Sequence, residues 1–166
     1  DPNGNITNYV RYGNLGGSNT RMDSLVYYYA SNDNRLTYID DLQTVAGRYS
    51  SDLDDQSSGN YNYDATGNLT QDVKEGINSG GITWTNAQKL ASVTKTNQLL
   101  NFRYDAMQQR LWKANRNTSN NTEKRTYYIR DAQGNVLATY TAWLRNAHLS
   151  TPTWDSIQFN ERHIYG

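Results

Sequence analysis

The chain of 166 residues has no cysteine, only two prolines and two phenylalanines, and equal numbers of acidic and basic residues. Without cysteine there are no disulfides and no thiolate metal ligands. The net charge of zero provides no bulk field of the kind that attracts nucleic acid. No apolar run is long enough to cross a bilayer as a helix. We therefore predict no nucleic-acid partner and no membrane span.

Basic residues gather locally in two stretches in spite of this balance. The first contains Arg110, Lys113 and Arg116, and the second contains Lys124, Arg125 and Arg130. No recognition helix is readable around them. We interpret both stretches as solvated strand faces.

Tyrosine is the abundant aromatic residue, with 14 copies beside four tryptophans. Its ring packs while its hydroxyl reaches a polar partner, which suits a sheet with one wet face. No window of helical length has a sustained 3.6-residue period. Composition and pattern together predict an all-β chain.

The pattern D-x-x-G-N-aliphatic occurs three times, beginning at Asp1, Asp64 and Asp131. An aspartate at the first turn position can bond backbone groups two residues on, and a glycine at the fourth can take the left-handed conformation. We therefore predict tight hairpin turns with positive φ at three glycines, namely Gly4, Gly67 and Gly134.

Weaker copies of the same unit lie between these three. They span residues 29–36, 84–90 and 104–111, and they place the fourth turn position at residues 33, 88 and 108. The turns are then 20 to 34 residues apart. Such spacing is typical of repeat arrays, in which each unit buries its apolar face against its neighbours.

These residues resemble a known family. The pattern Y-D-x-x-G-N-L/V is similar to the YD repeats of bacterial Rhs proteins, of toxin-complex subunits and of animal teneurins. Residues 126–140 resemble the opening of the Rhs-associated core region, and residues 161–166 resemble the segment that follows it. The resemblance divides the chain into a repeat region, 1–125, and the start of a core-like region, 126–166. It also implies a piece of a longer protein, which begins in mid-repeat.

The resemblance implies successive antiparallel β-hairpins that form a section of a spiralling β-sheet shell. The function it implies is a wall section of a cage that encloses and helps to deliver a C-terminal toxin, in a secreted or cell-surface bacterial protein. The expected partners are the remaining repeats of the same polypeptide or of a separate chain, the enclosed toxin domain and the secretion machinery. The alternative is an adhesive module that binds carbohydrate or protein at the cell surface. Trp143 and Trp154, which we place near a loop, are the candidate surface contacts.

Twelve strands are predicted, separated by polar loops that include residues 13–20 and 115–123. The predicted strands cover residues 8–12, 24–29, 36–40, 61–63, 68–73, 82–84, 90–94, 99–104, 110–114, 125–130, 136–140 and 157–164.

Catalytic chemistry has weak support in the sequence. The acidic loop at residues 52–56 lacks the glycine and the distal glutamate of a calcium loop. Asp155, Ser156 and His163 lie close in sequence, but no nucleophile elbow surrounds the serine. Asp131 and Glu161 could form a pair of glycosidase acids only in a cleft that nothing indicates. We predict no enzyme activity, no catalytic residues, no metal site and no cofactor.

Overall fold

The structure is a computed structural model that describes residues 1–15, 18–31, 33–43, 53 and 55–163, with only the backbone at residues 15, 18 and 19. The described part contains strands and no helix, so the predicted all-β class of antiparallel hairpins is confirmed. The spiral shell stays a prediction. The strands are β1 (Asn8–Leu15), β2 (Ser18–Tyr29), β3 (Leu36–Asp41), β4 (Tyr61–Tyr63), β5 (Leu69–Asp72), β6 (Ile82–Trp84), β7 (Leu90–Lys95), β8 (Gln98–Tyr104), β9 (Arg110–Asn117), β10 (Thr122–Arg130), β11 (Val136–Arg145) and β12 (Thr153–Arg162).

The chain forms two compact units, Asp1–Glu75 and Gly76–Gly166. The sequence division at residues 125 and 126 falls inside β10. That division describes a change of sequence pattern, and it stays a prediction.

The first unit contains a three-stranded sheet, in the order β1-β2-β3, and the hairpin β4-β5. Tyr28 and Tyr38 face each other across β2 and β3, with ring centroids 4.3 Å apart. Tyr63 links the hairpin to β3, because its hydroxyl donates a hydrogen bond of 2.9 Å to the Leu36 carbonyl. Tyrosine therefore packs and bonds at once in this unit, as expected for its amphipathic ring.

The second unit is one antiparallel sheet of seven strands, in the order β12-β11-β10-β9-β8-β7-β6. Each strand pairs with its neighbours in sequence, so every connection is a hairpin. Antiparallel meanders of this kind place alternate hairpin turns at opposite ends of the sheet. The turns β6-β7, β8-β9 and β10-β11 share one end, and the other three connections share the opposite end.

Two predicted loops are strand over much of their length. Residues 13–15 and 18–20 belong to β1 and β2, where Gly13 pairs with Thr20, and residues 115–117 continue β9 opposite β10. The ladder bonds use backbone groups, so a hairpin extends through polar residues once both strands are in place. The prediction of loops at 13–20 and 115–123 was therefore wrong over these segments.

Few apolar side chains are fully buried. In the second unit Ala142 and Leu144 are 0% and 1% exposed, and Ala114 is 2% exposed. The two alanines leave room for large neighbours on the same face. Much of the remaining apolar contact comes from half-buried aromatic rings, as the low aliphatic content of the sequence indicates.

Candidate functional site

The turn at Asp64 is closed by its own side chains. The Gly67 N–H donates to the Asp64 carbonyl at 3.1 Å, and the Asp64 N–H donates to the Asn68 carbonyl at 2.9 Å. Oδ1 of Asp64 accepts from the Thr66 N–H, the Thr66 hydroxyl and the Asn68 N–H, at 2.8 to 2.9 Å. Gly67 has φ of +88°, a conformation that costs an L-residue energy. The aspartate carboxylate and the left-handed glycine thus stabilise the same turn.

The turns at Asp1 and Asp131 repeat this arrangement. Gly4 and Gly134 have φ of +81° and +94°, and each donates its N–H to the carbonyl of the aspartate three residues before it. The asparagine after each glycine completes the pattern, because its side-chain amide donates to Oδ2 of the aspartate at 2.9 to 3.0 Å in all three turns. The sequence pattern recorded this asparagine, but we assigned no role to it.

Two degenerate turns keep the geometry without glycine. At Asp105 the carboxylate accepts from the N–H groups of Met107 and Gln109, and Gln108 takes the left-handed position with φ of +62°. At Thr85 a hydroxyl replaces the carboxylate, and Gln88 has φ of +56°. A glutamine at either place bears the strain that glycine avoids.

The hydrogen bonds change the acidity of the turn aspartates. The side chains of Thr66 and Asn68 stabilise the ionised carboxylate and lower the pKa of Asp64 from 3.8 to about 2. At Asp131 the Asn135 side chain is the largest cause of a lowered pKa. Both carboxylates are therefore ionised, and accept hydrogen bonds, at any ordinary pH.

Neighbouring turns contact each other at the shared end of the seven-stranded sheet. The Gln109 amide lies against Gly134, so close that a Cβ built on the glycine would be 2.1 Å from its Nε2. Gly134 thus combines a left-handed φ with a close neighbour, and a larger residue there would require the Gln109 side chain to move. In the first unit, the Asn5 amide similarly donates to Asn34 at 3.0 Å.

One face of the seven-stranded sheet carries a row of aromatic residues, Trp112, Tyr127, Tyr140 and Phe159, which are cross-strand partners. We call it the tyrosine face. The Arg125 guanidinium lies 4.7 Å from the Trp112 ring centroid and donates to Glu123 at 2.7 Å. Glu123 is 6% exposed, so this ion pair is a buried feature of the face.

The edge strand β12 leaves the tyrosine face partly uncovered. Trp154, Ile157 and Phe159 are 50%, 64% and 50% exposed. An edge strand that presents large apolar side chains and unpaired backbone groups is a template for another strand.

The opposite face of the same sheet carries a groove across β8 to β11. Two cavities of about 460 Å³ each share Asn115 and Lys124. We call this surface the lysine groove and define it by eight residues, Gln98, Phe102, Arg110, Lys113, Asn115, Lys124, Thr126 and Trp143. The carboxylates of Glu123 and Asp155 also belong to residues that line the first cavity.

The two candidate contact tryptophans lie on opposite faces. Trp143 is in β11 and is half-buried in the lysine groove, where the Lys124 Nζ lies 5.9 Å from its ring centroid. Trp154 is in β12 and stacks on Tyr127 with a centroid distance of 6.4 Å. Both tryptophans lie in strands beside the loop that joins these strands, since β11 ends at Arg145 and β12 begins at Thr153.

The residues weighed for catalysis are not brought together as a triad. Asp155 forms an ion pair with Arg145. His163 lies 3.5 Å from Glu161. In the described part of the chain, no group of three or more histidine, aspartate or glutamate side chains is placed to hold a metal ion. Of the acidic loop, Asp52 and Asp54 lie outside the described residues.

Comparison with known proteins leaves the family assignment open. No family model matches the chain, and no curated protein matches it either. The resemblance to YD repeats therefore stays a prediction. Within the described residues, no helix is long and apolar enough to cross a membrane.

Proposed function

We propose that the chain is a wall section of a Rhs-like, YD-repeat β-cage that encloses and helps to deliver a C-terminal toxin. The parent would be a secreted or cell-surface bacterial protein. Its partners would be further repeats, of the same polypeptide or of a separate chain, together with the toxin domain and the secretion machinery. In this role the chain itself performs no catalysis.

The repeated turn is the observation that carries this proposal. Three turns, at Asp1, Asp64 and Asp131, have the same hydrogen bonds between aspartate, glycine and asparagine. The turns at Thr85 and Asp105 keep the conformation after losing the glycine. A unit built repeatedly from one hairpin supports an array that grows by adding hairpins, since each new strand covers the edge of the previous one.

The exposed edge of the second unit supports continuation of the sheet. All ten residues of β12 are exposed, including three large apolar side chains on the tyrosine face. A soluble protein manages such an edge by covering or pairing it. Pairing with a further hairpin would satisfy the unpaired backbone groups of β12 and would also bury its three large apolar side chains.

Hydrogen exchange tests the proposal. The amides of β12 are measured in residues 1–166 expressed alone and in the protein purified from its native source. We expect the outward amides to exchange quickly in the isolated chain and to be strongly protected in the native protein, whose electron micrographs should contain a hollow particle. The control is β9, an interior strand, whose amides should be protected in both samples.

Two results would contradict the wall function. One is equal, rapid exchange of β12 in the isolated chain and in the native protein, because the edge would then have no covering strand. The other is a monodisperse, cooperatively folding monomer of residues 1–166 in which both terminal strands are already protected. That result would favour a self-contained binding module.

A further inference from the structure

We propose that the lysine groove binds an acidic oligosaccharide, a chain of linked sugar rings that carries carboxylates or sulfates. This binding function goes beyond a structural wall. It uses only residues of the second unit, on the face opposite to the tyrosine face, so it does not depend on whether β12 is covered.

Charge is the first reason. Lys113 and Lys124 are exposed, and Arg110 also lines the groove. Neither lysine forms an ion pair within the described residues. Two carboxylates, Glu123 and Asp155, also line the first cavity. Each is held in an ion pair with an arginine, Glu123 with Arg125 and Asp155 with Arg145. The lining therefore has an excess of positive charge, with Arg110, Lys113 and Lys124 against two carboxylates that are already paired, and this excess attracts an anion.

Cross-strand register concentrates this charge. Lys113 pairs with Thr126 and Asn115 pairs with Lys124, so the two lysines are diagonal neighbours on β9 and β10. Diagonal neighbours are about 7–8 Å apart at the backbone. Two ammonium groups at this spacing can contact separate acidic groups on one ligand.

Shape is the second reason. Leu100, Asn115, Lys124 and Trp143 form a row across four adjacent strands. With strands about 4.8 Å apart, the row is roughly 14 Å long. The two cavities meet along it at Asn115 and Lys124. An open and elongated surface of this length suits a short chain better than a single small ion.

The chemistry of the lining is the third reason. The Trp143 ring and the Lys124 ammonium lie together, so one ligand can meet an aromatic plane and a charge. The Gln98 amide donates to Asn115 at 3.0 Å, which places two planar amides beside the lysine. Aromatic planes match the apolar faces of sugar rings, and amides match their hydroxyls.

Single-stranded nucleic acid fits the same groove less well. Binding of that kind stacks successive bases on several open aromatic rings. In the lysine groove Trp143 is the one tryptophan, and the Phe102 ring is covered by the Arg110 guanidinium at 5.0 Å from its centroid. A sugar chain needs only one such platform.

The test measures binding of residues 1–166 to three probes by isothermal titration calorimetry. The probes are a galacturonate oligosaccharide with carboxylates only, a sulfated galactan oligosaccharide with sulfates only, and a neutral galactan oligosaccharide. We expect at least one acidic probe to bind about tenfold more tightly than the neutral probe, as one charge-assisted contact implies. Raising the salt from low to high concentration should weaken acidic binding. The two acidic probes distinguish a carboxylate from a sulfate ligand.

The variants provide matched controls. Trp143→Ala should weaken binding of the acidic probe about tenfold, while Trp154→Ala, on the adjacent strand and the opposite face, should leave it unchanged. The double variant Lys113→Gln, Lys124→Gln should remove the preference for acidic over neutral sugar. Both lysines are exposed, so this variant tests the proposal even where loss of Trp143 disturbs folding. Circular dichroism melting checks each fold.

Three results would overturn the proposal. The first is absence of binding to both acidic probes. The second is equal binding of acidic and neutral probes, or a loss with Trp154→Ala in place of Trp143→Ala. The third is tighter binding of oligothymidylate than of any sugar probe, with the same sensitivity to the two lysines, which would identify a nucleic-acid site.

Discussion

Removing the glycine from one turn and introducing a glycine into another tests how the repeats tolerate the loss of this residue. Gly67 has φ of +88° and nothing within 4 Å of a Cβ built on it, so Gly67→Ala meets no side-chain clash. Gln108 occupies the corresponding place in the turn at Asp105, with φ of +62°. The two substitutions therefore change the same backbone term in opposite directions.

The magnitude follows from two opposing effects. A left-handed conformation costs an L-residue about 1–2 kcal/mol. Alanine in place of glycine recovers about 0.4–1 kcal/mol by restricting the unfolded chain. The net effect of Gly67→Ala is a loss of about 1 kcal/mol, and that of Gln108→Gly is a gain of about 0.5–1 kcal/mol. For compact units of this size, 1 kcal/mol shifts Tm by about 4–8 °C.

The assay is thermal unfolding followed by circular dichroism, with hydrogen exchange at the Asp64 and Asp105 amides to locate the change. Ala106→Gly is the matched control for Gln108→Gly. It places a glycine in the same turn where φ is not positive, so it should destabilise by about 0.5 kcal/mol. An unchanged Tm for Gly67→Ala, or a destabilising Gln108→Gly, would refute the reasoning.

Three other predictions, which use four substitutions, test the remaining contacts. Because the pKa of Asp64 is lowered to about 2, the stabilisation by its carboxylate is complete above the unfolded pKa of about 4 and is lost as the pH falls toward 2. The free energy of unfolding of Asp64→Ala should therefore depend less on pH over that window. An NMR titration of the Asp64 carboxyl with a midpoint near 4 would contradict this prediction. Glu123→Ala should lower the free energy of unfolding by about 2 kcal/mol, because it leaves the partly exposed Arg125 without its carboxylate partner. Urea unfolding equal to that of the unsubstituted chain would exclude the ion pair as a stabilising contact. Leu144→Ala should lower the free energy of unfolding, measured in urea, by about 2–5 kcal/mol, and Ile157→Ala by less than about 1 kcal/mol. The reason is that Leu144 is 1% exposed and Ile157 is 64% exposed. Equal effects of the two substitutions would mean that Leu144 is not in the core.

The strands could be predicted from the sequence because the turn motifs between them could be recognised. Every predicted strand has a counterpart, and the hairpins at Asp64 and Asp131 lie where the D-x-x-G-N pattern put them. A local motif predicts well because its hydrogen bonds join residues at most four apart. The pattern failed where the chain is polar but paired, as at residues 13–15 and 18–20, because the hydrogen bonds of the ladder join backbone groups and do not depend on the side chains.

The lysine groove could not be predicted from the sequence, because it depends on which residues pair across neighbouring strands. The sequence placed Arg116 and Arg125 in the same two stretches as Lys113 and Lys124, yet the fold puts the arginines with Glu123 on the tyrosine face and the lysines on the other. Alternation within a strand was visible, but the register between β9 and β10 was not. Likewise, nothing in the sequence paired Arg11 with the fully buried Asp23.

The position of the register shifts has a consequence for how such a chain can change length. In five hairpins of the described part of the chain, the residue just before the turn pairs with the first residue of the return strand. One extra residue follows before the ladder resumes, and these extra residues are Thr37, Thr70, Ala91, Leu111 and Leu137. The register of the two strands in each hairpin is therefore set by hydrogen bonds within that hairpin. Duplicating or deleting a whole hairpin leaves the pairing inside every other hairpin intact, whereas adding one residue inside a strand turns the side chains beyond it to the other face. Gene segments that encode complete hairpins are thus the units by which this architecture can lengthen or shorten without losing its two distinct faces.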